Sequence, residues 1–113
     1  MIGLVPWPSG HIVPTRKLTG DLLDPNHSQG AAKCRFLTAF GFHPQDPAAL
    51  ERALLAHASP ANFLDIQVSP YGLRFRQHGP MPTPVEADPV VRSIWQIDPS
   101  TGLARFVTLK PAR

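Results

Sequence analysis

At 113 residues, with 42% apolar and 17% charged side chains, the chain has the size and composition of one folded domain and not of a disordered segment. Its apolar runs fall far below the ~20 residues that span a bilayer, and MIGLVPWPSG has no basic stretch ahead of a long apolar one, so neither a membrane span nor a signal peptide is expected. The net charge of +3 favours phosphate-rich or acidic partners, and the single Cys34 excludes an internal disulfide and an all-cysteine metal site.

These features fit a cytoplasmic protein, or a module delivered within a larger secreted or phage protein. The 14 prolines fall in clusters between apolar segments, where a fixed φ and a missing N–H stop helices and strands. His11-Ile12-Val13 reads as a short edge strand stopped by Pro14. Lys17 to Leu23 reads as one helical turn with Leu18 and Leu22 on one face. After the turn signal Asp24-Pro25-Asn26, a helix is predicted from Ser28 or Gln29 through Phe40, closed by Gly41. Its buried stripe is Ala32, Phe36, Leu37 and Phe40. A second helix starts with Asp46 as N-cap and Pro47 at the first helical position. It packs through Ala49, Leu50, Ala53, Leu54 and Ala56 and ends before Ser59-Pro60.

Beyond Ala61 the apolar period falls to two. Phe63 to Ser69 is a predicted strand with Leu64, Ile66 and Val68 on one face. Pro70-Tyr71-Gly72 turns the chain into a return strand from Leu73 to His78. Gly79 to Pro89 is a proline-rich loop. Val90 to Ile97, with Val91, Trp95 and Ile97 on its apolar face, leads through Asp98-Pro99-Ser100-Thr101-Gly102 to a last strand, Leu103 to Leu109. The expected fold is α+β, one domain over residues 1–113: two N-terminal helices on a four-stranded, mainly antiparallel sheet, with an optional short N-terminal edge strand.

Strand alternation concentrates the charge. Arg74, Arg76, His78, Arg92, Gln96, Thr108 and Lys110 fall on one predicted sheet face, with Ile94 and Phe106 among them. Cations hold phosphates and a ring stacks on a base, so this surface suits single-stranded RNA. Solvation alone also accounts for it, since antiparallel sheets commonly leave one face in water.

His27 stands just before the first long helix, where unpaired N–H groups favour an anion and Gly30 permits close approach. It is a candidate for phosphate binding or proton transfer; ordinary capping by Asn26 or Ser28 is the plain alternative. The scattered His11, His27, His43, His57 and His78 show no metal-ligand spacing, so no metal or other cofactor is expected. Cys34, beside Phe36 and Leu37, reads as packing. No phosphate-binding glycine loop or nucleophile elbow occurs.

The stretch Arg16-Lys17-Leu18-Thr19-Gly20-Asp21-Leu22-Leu23-Asp24-Pro25-Asn26-His27, continuing Gly30-Ala31-Ala32-Lys33-Cys34-Arg35-Phe36, resembles the opening RKLTGYLLNPxHPxGxxKARFF of a bacterial and phage domain family of unassigned function. Tyr71-Gly72, Gly79-Pro80-Met81-Pro82, Val91 to Trp95 and Phe106 to Pro111 match its later turn, loop, strand and ending. Asp21, Ser28, Cys34 and Leu109-Lys110 depart from its pattern. The matched positions that carry chemistry are His27, Gly30, Lys33, Arg35, Trp95 and Thr108.

The family resembles toxin modules with a small antitoxin or immunity partner, and its layout is similar to barnase, colicin and RelE-type ribonucleases. The resemblance implies a metal-independent endoribonuclease. His27 would be general acid or base, Lys33 and Arg92 would stabilise the phosphorane, and Thr108 would orient a phosphate oxygen. Arg35, Arg74, Arg76, His78 and Lys110 would hold the RNA backbone. A non-catalytic module that binds an acidic protein or nucleic acid through the same face, and a phage or effector assembly domain, remain as alternatives.

Overall fold

The structure, a computed structural model, describes residues 7–24, 26 and 31–112. The elements run β1 (Gly10–Ile12), α1 (Thr15–Lys17), a π turn (Leu18–Leu22), α2 (Ala31–Ala39), α3 (Pro47–His57), a 3-10 turn (Pro60–Asn62), β2 (Phe63–Ser69), β3 (Gly72–Pro80), β4 (Val90–Ile97) and β5 (Leu103–Pro111). The class is α+β, as expected, but the sheet has five strands in the order β1-β5-β4-β3-β2. Strands β2 to β5 pair antiparallel, while β1 runs parallel to β5, with Gly10 opposite Leu103 and Ile12 opposite Arg105. The optional N-terminal edge strand is present as the fifth strand, β1, and the helical turn expected from Lys17 to Leu23 lies within the helical segment over 15–22. The correction to the mainly antiparallel sheet is that β1 joins it in parallel. That segment widens so that Leu23 N–H donates to Leu18 C=O. Leu18, Leu22 and Leu23 all reach the core as a result.

Helix α2 closes as its glycine signals. Gly41 has φ +93°, its N–H donates to Thr38 C=O, and Phe42 N–H donates back to Leu37 C=O. This paired closure satisfies the last carbonyls and drops the Phe42 ring into the core. The buried residues of α2 are Cys34 and Leu37; Phe36 and Phe40 pack at the core's margin, and Ala32, expected inside, is exposed. In α3 the inner face is Leu50, Ala53, Leu54 and His57, spaced i, i+3, i+4 and i+7. Ala56, expected in that face, is exposed because His57 takes the fourth inward position. Pro47 opens the helix as expected, but the Asp46 side chain makes no capping bond.

Two β-bulges set which side chains face the helices. In β2, Phe63 pairs with Gln77 and Asp65 with Arg76, which leaves Leu64 as the extra residue. Phe63, not Leu64, therefore joins Ile66 on the inner side, its ring 5.7 Å from that of Phe75. In β5, Phe106 pairs with Trp95 and Thr108 with Ile94, so Val107 is extra. Phe106 and Leu109 share the core face although they lie three apart, and both are buried. The expectation that Phe106 stands on the polar face is thereby corrected.

Among the described residues, the core holds three buried polar side chains, His57, Gln77 and Ser93. His57 Nε2 lies 3.1 Å from Gly79 C=O, which can only accept, so Nε2 carries the proton. Nδ1 is then the acceptor for the Ser93 hydroxyl at 2.8 Å. Ser93 Oγ in turn accepts from Trp95 Nε1 at 2.9 Å. Burial lowers the pKa of His57 and keeps the ring neutral.

Candidate functional site

The outer face of the sheet forms three cross-strand rows. Arg74 on β3, Gln96 on β4 and Arg105 on β5 make the first. Asp65, Arg76, Ile94 and Thr108 make the second. His78, Arg92 and Lys110 make the third. The Val107 bulge creates this arrangement, because without it Arg105 and the Thr108–Lys110 pair would not share a face.

Charge is unevenly offset across the rows. Arg76 grips Asp65 through both fork atoms, Nε to Oδ1 at 2.7 Å and Nη2 to Oδ2 at 2.5 Å. Hydrogen bonding from Arg76 holds the Asp65 carboxyl below its usual range. Arg74 donates from Nε to Gln96 Oε1 at 3.0 Å, a neutral partner that leaves its charge intact. The amide of Gln96 is fixed in that sense because its Nε2 donates to Tyr71 and Leu73 carbonyls. In the third row Arg92 and Lys110 face each other directly, an arrangement that is destabilising for like charges.

Lys33 reaches this face from α2. Its Nζ donates to Thr108 Oγ1 at 2.7 Å, a contact between residues 75 apart in the chain. Burial lowers the Lys33 pKa, repulsion from Lys110 and then Lys17 lowers it further, and Asp21 partly opposes the shift. The amine is thus a compact, partly desolvated cation held beside a hydroxyl.

Of the residues singled out from sequence, Lys33 and Thr108 are in contact. Arg92 belongs to the neighbouring row with Lys110 and His78, and Arg74 and Arg76 continue the face along β3. Arg35 is exposed on α2, beside the buried Cys34, and is not part of the three rows. His27 and Gly30 lie outside the described residues. Arg105 was missed, since strict alternation from Leu103 assigns it to the wrong face. The neutralisation of Arg76 was foreseeable, because Asp65 is the one acid within the predicted strands.

Two other places have chemical groups worth weighing. Ser93 and His57 have the separation of an activated nucleophile and its base, but both are fully buried and no substrate reaches them. A cleft of about 390 Å³ lies between α3 and residues 82–84, with Phe42, Ala49 and Ala53 in its walls and Asp46 and Arg52 beside them. It shares no residue with the basic face. Among the described residues, no helix is long and apolar enough to cross a membrane.

The family described as Domain of unknown function (DUF6883) matches residues 9–113. No curated protein matches the chain. Among solved structures, the fold is similar to a chain of the contact-dependent growth inhibition toxin–immunity protein complex from Klebsiella pneumoniae 342, with a TM-score of 0.69 at 16% identity. That alignment covers 88% of this chain and 98% of the other. At this identity the two share a fold.

Proposed function

The chain belongs to the DUF6883 family, and we propose that it is a toxin-type, metal-independent endoribonuclease that lays RNA along the basic face of its sheet. The observation that carries the proposal is the Lys33–Thr108 contact at 2.7 Å, which sets a cation and a hydroxyl beside a row of cations with no acid in it. In this reading the RNA 2′-oxygen attacks the adjacent phosphorus, the bond to the 5′-oxygen breaks, and a 2′,3′-cyclic phosphate forms. The 2′-hydroxyl proton passes to a base and the departing 5′-oxygen receives one, with His27 as one of these groups. Lys33 and Arg92 stabilise the charge that develops on the phosphorane, and Thr108 orients a phosphate oxygen. Arg74, His78 and Lys110 hold the flanking backbone; Arg76 contributes least because Asp65 already occupies it.

The toxin assignment is supported by the fold shared with a chain of a toxin–immunity complex. A small acidic immunity protein or antitoxin is the partner that the basic face suits. Incubation with RNA in EDTA is the test. Cleavage by the wild type, together with a loss of ~10²-fold or more in Lys33→Met and His27→Ala, supports the proposal. No cleavage by wild type, or undiminished cleavage by His27→Ala, removes the catalytic assignment. Binding without cleavage would identify instead a non-catalytic module acting through the same rows.

A further inference from the structure

Arg76 and Arg92 stand in adjacent rows of one face and use their guanidinium edges differently. Arg76 fills its Nε–Nη2 edge with the Asp65 carboxylate. Arg92 makes one contact from that edge, Nη2 to His78 Nδ1 at 3.3 Å. Its Nε is buried and has no acceptor among the described residues. A buried N–H without an acceptor is costly, and the same edge one row away shows what it is shaped to hold: a pair of anionic oxygens.

The His78 contact also constrains protons. A guanidinium only donates, so His78 Nδ1 must accept, which requires the neutral ring. A protonated imidazole donates from both nitrogens and cannot accept from Arg92. Around the ring stand Arg92 on β4, Lys110 beyond it on β5, and Arg76, paired with Asp65 of β2, along β3. From α3, His57 interacts with it electrostatically beneath the sheet.

We infer that Arg92, His78 and Lys110 form a proton-linked site for a nucleic-acid phosphate. The phosphate displaces His78 from Arg92, and the guanidinium turns so that its buried Nε meets the phosphate together with Nη2. The released His78 gains a proton and donates to the same phosphate. The inference rests on the reading that RNA lies on this face. A phosphate is the stronger acceptor for the fork, and an anion beside the freed imidazole favours its protonated form. The negative charge of the phosphate offsets the repulsion that a third cation adds to the row. Binding and protonation are therefore coupled, and the site holds its ligand more tightly in acid.

The test uses a fluorescent 2′-O-methyl oligoribonucleotide, which binds as RNA does but has no 2′-hydroxyl to attack. Its affinity is measured by anisotropy at fixed ionic strength at about pH 5.5 and about pH 8, either side of the ordinary imidazole range. Wild type is expected to bind ~10-fold more tightly at the lower pH, equivalent to one favourable contact of about 1.4 kcal/mol. His78→Gln keeps an acceptor for Arg92 but does not titrate, and most of that gain should vanish. Arg92→Lys keeps the charge but lacks the fork, and affinity should fall ~10-fold or more, with a melting temperature as in wild type.

His78→Gln with the full wild-type pH dependence overturns the proton linkage. Arg92→Lys with wild-type affinity overturns the phosphate site. Competition by poly-glutamate as strong as by unlabelled oligonucleotide would also overturn it, in favour of an acidic protein ligand. The probe cannot be cut, so a failure of the ribonuclease proposal shows only with natural RNA and is read separately.

Discussion

His57 and Ser93 meet 2.8 Å apart in the core, joining α3 to the central strand β4. The chain Trp95 to Ser93 to His57 to Gly79 uses every polar atom of the imidazole, provided that the ring is neutral. Burial lowers the folded-state pKa of His57, and of His11 as well. The unfolded chain then binds more protons below the ordinary imidazole value of ~6.5, so stability is full above that pH and is lost as pH falls toward the lowered folded values. Urea unfolding at about pH 7.5 and about pH 5 should show this loss. His57→Ala should cost about 3 kcal/mol at the higher pH, by removing the imidazole's bonds to the Ser93 hydroxyl and to Gly79 C=O and opening a cavity. A variant with wild-type stability would refute the structural role.

Gln77 lies opposite Ser93 in the same buried layer, with neither amide atom hydrogen-bonded to a described residue. Gln77→Met keeps the length and removes two desolvated polar atoms. It is expected to raise unfolding free energy by about 1–2 kcal/mol in urea titration. A decrease would mean that internal water already satisfies the amide.

Lys33 carries an opposite balance. Burial and the nearby Lys110 and Lys17 all disfavour its charged form. The unfolded chain holds that proton to higher pH, so stability should rise with pH between the lowered folded value and ~10.4. Lys33→Met removes the effect and should melt no lower than wild type at neutral pH, while losing RNA affinity. A lower melting temperature would show that the Thr108 contact matters more for folding than for ligand.

Asp65→Asn frees Arg76 from its carboxylate. The plot of log affinity against log salt for single-stranded nucleic acid should steepen by ~0.7, the value for one added phosphate contact. An unchanged slope would place the RNA away from β3.

Much of the fold was legible in local signals. Pro47 opens α3, Gly41 closes α2, and turn residues mark both hairpins, because each of these depends on neighbours within a few residues. The bulges at Leu64 and Val107 were not legible, since nothing in either residue distinguishes it from a regular strand position. Each reverses the alternation on one side of itself, which is how Phe106 changed faces with Arg105. The parallel pairing of β1 was hidden because its partner lies some 90 residues downstream. The Lys33–Thr108 contact was suggested by the family-like pattern and by no spacing in the chain. The buried role of His57 had no local signal because its two partners come from other elements.

The parallel strand β1 has a consequence for the order in which the chain assembles. The hairpins β2–β3 and β4–β5 close over short loops and can form early. β1 pairs only with β5, so its place does not exist until residues 103–105 are in register. During synthesis the first strand of the sheet is consequently the last to be seated, and Trp7 and His11, whose rings contact Phe75 and Trp95, close over the core at the end of folding. A chain interrupted before β5 would lack both the partner of β1 and the strand on which α2 packs, and would leave that side of the sheet open to other chains.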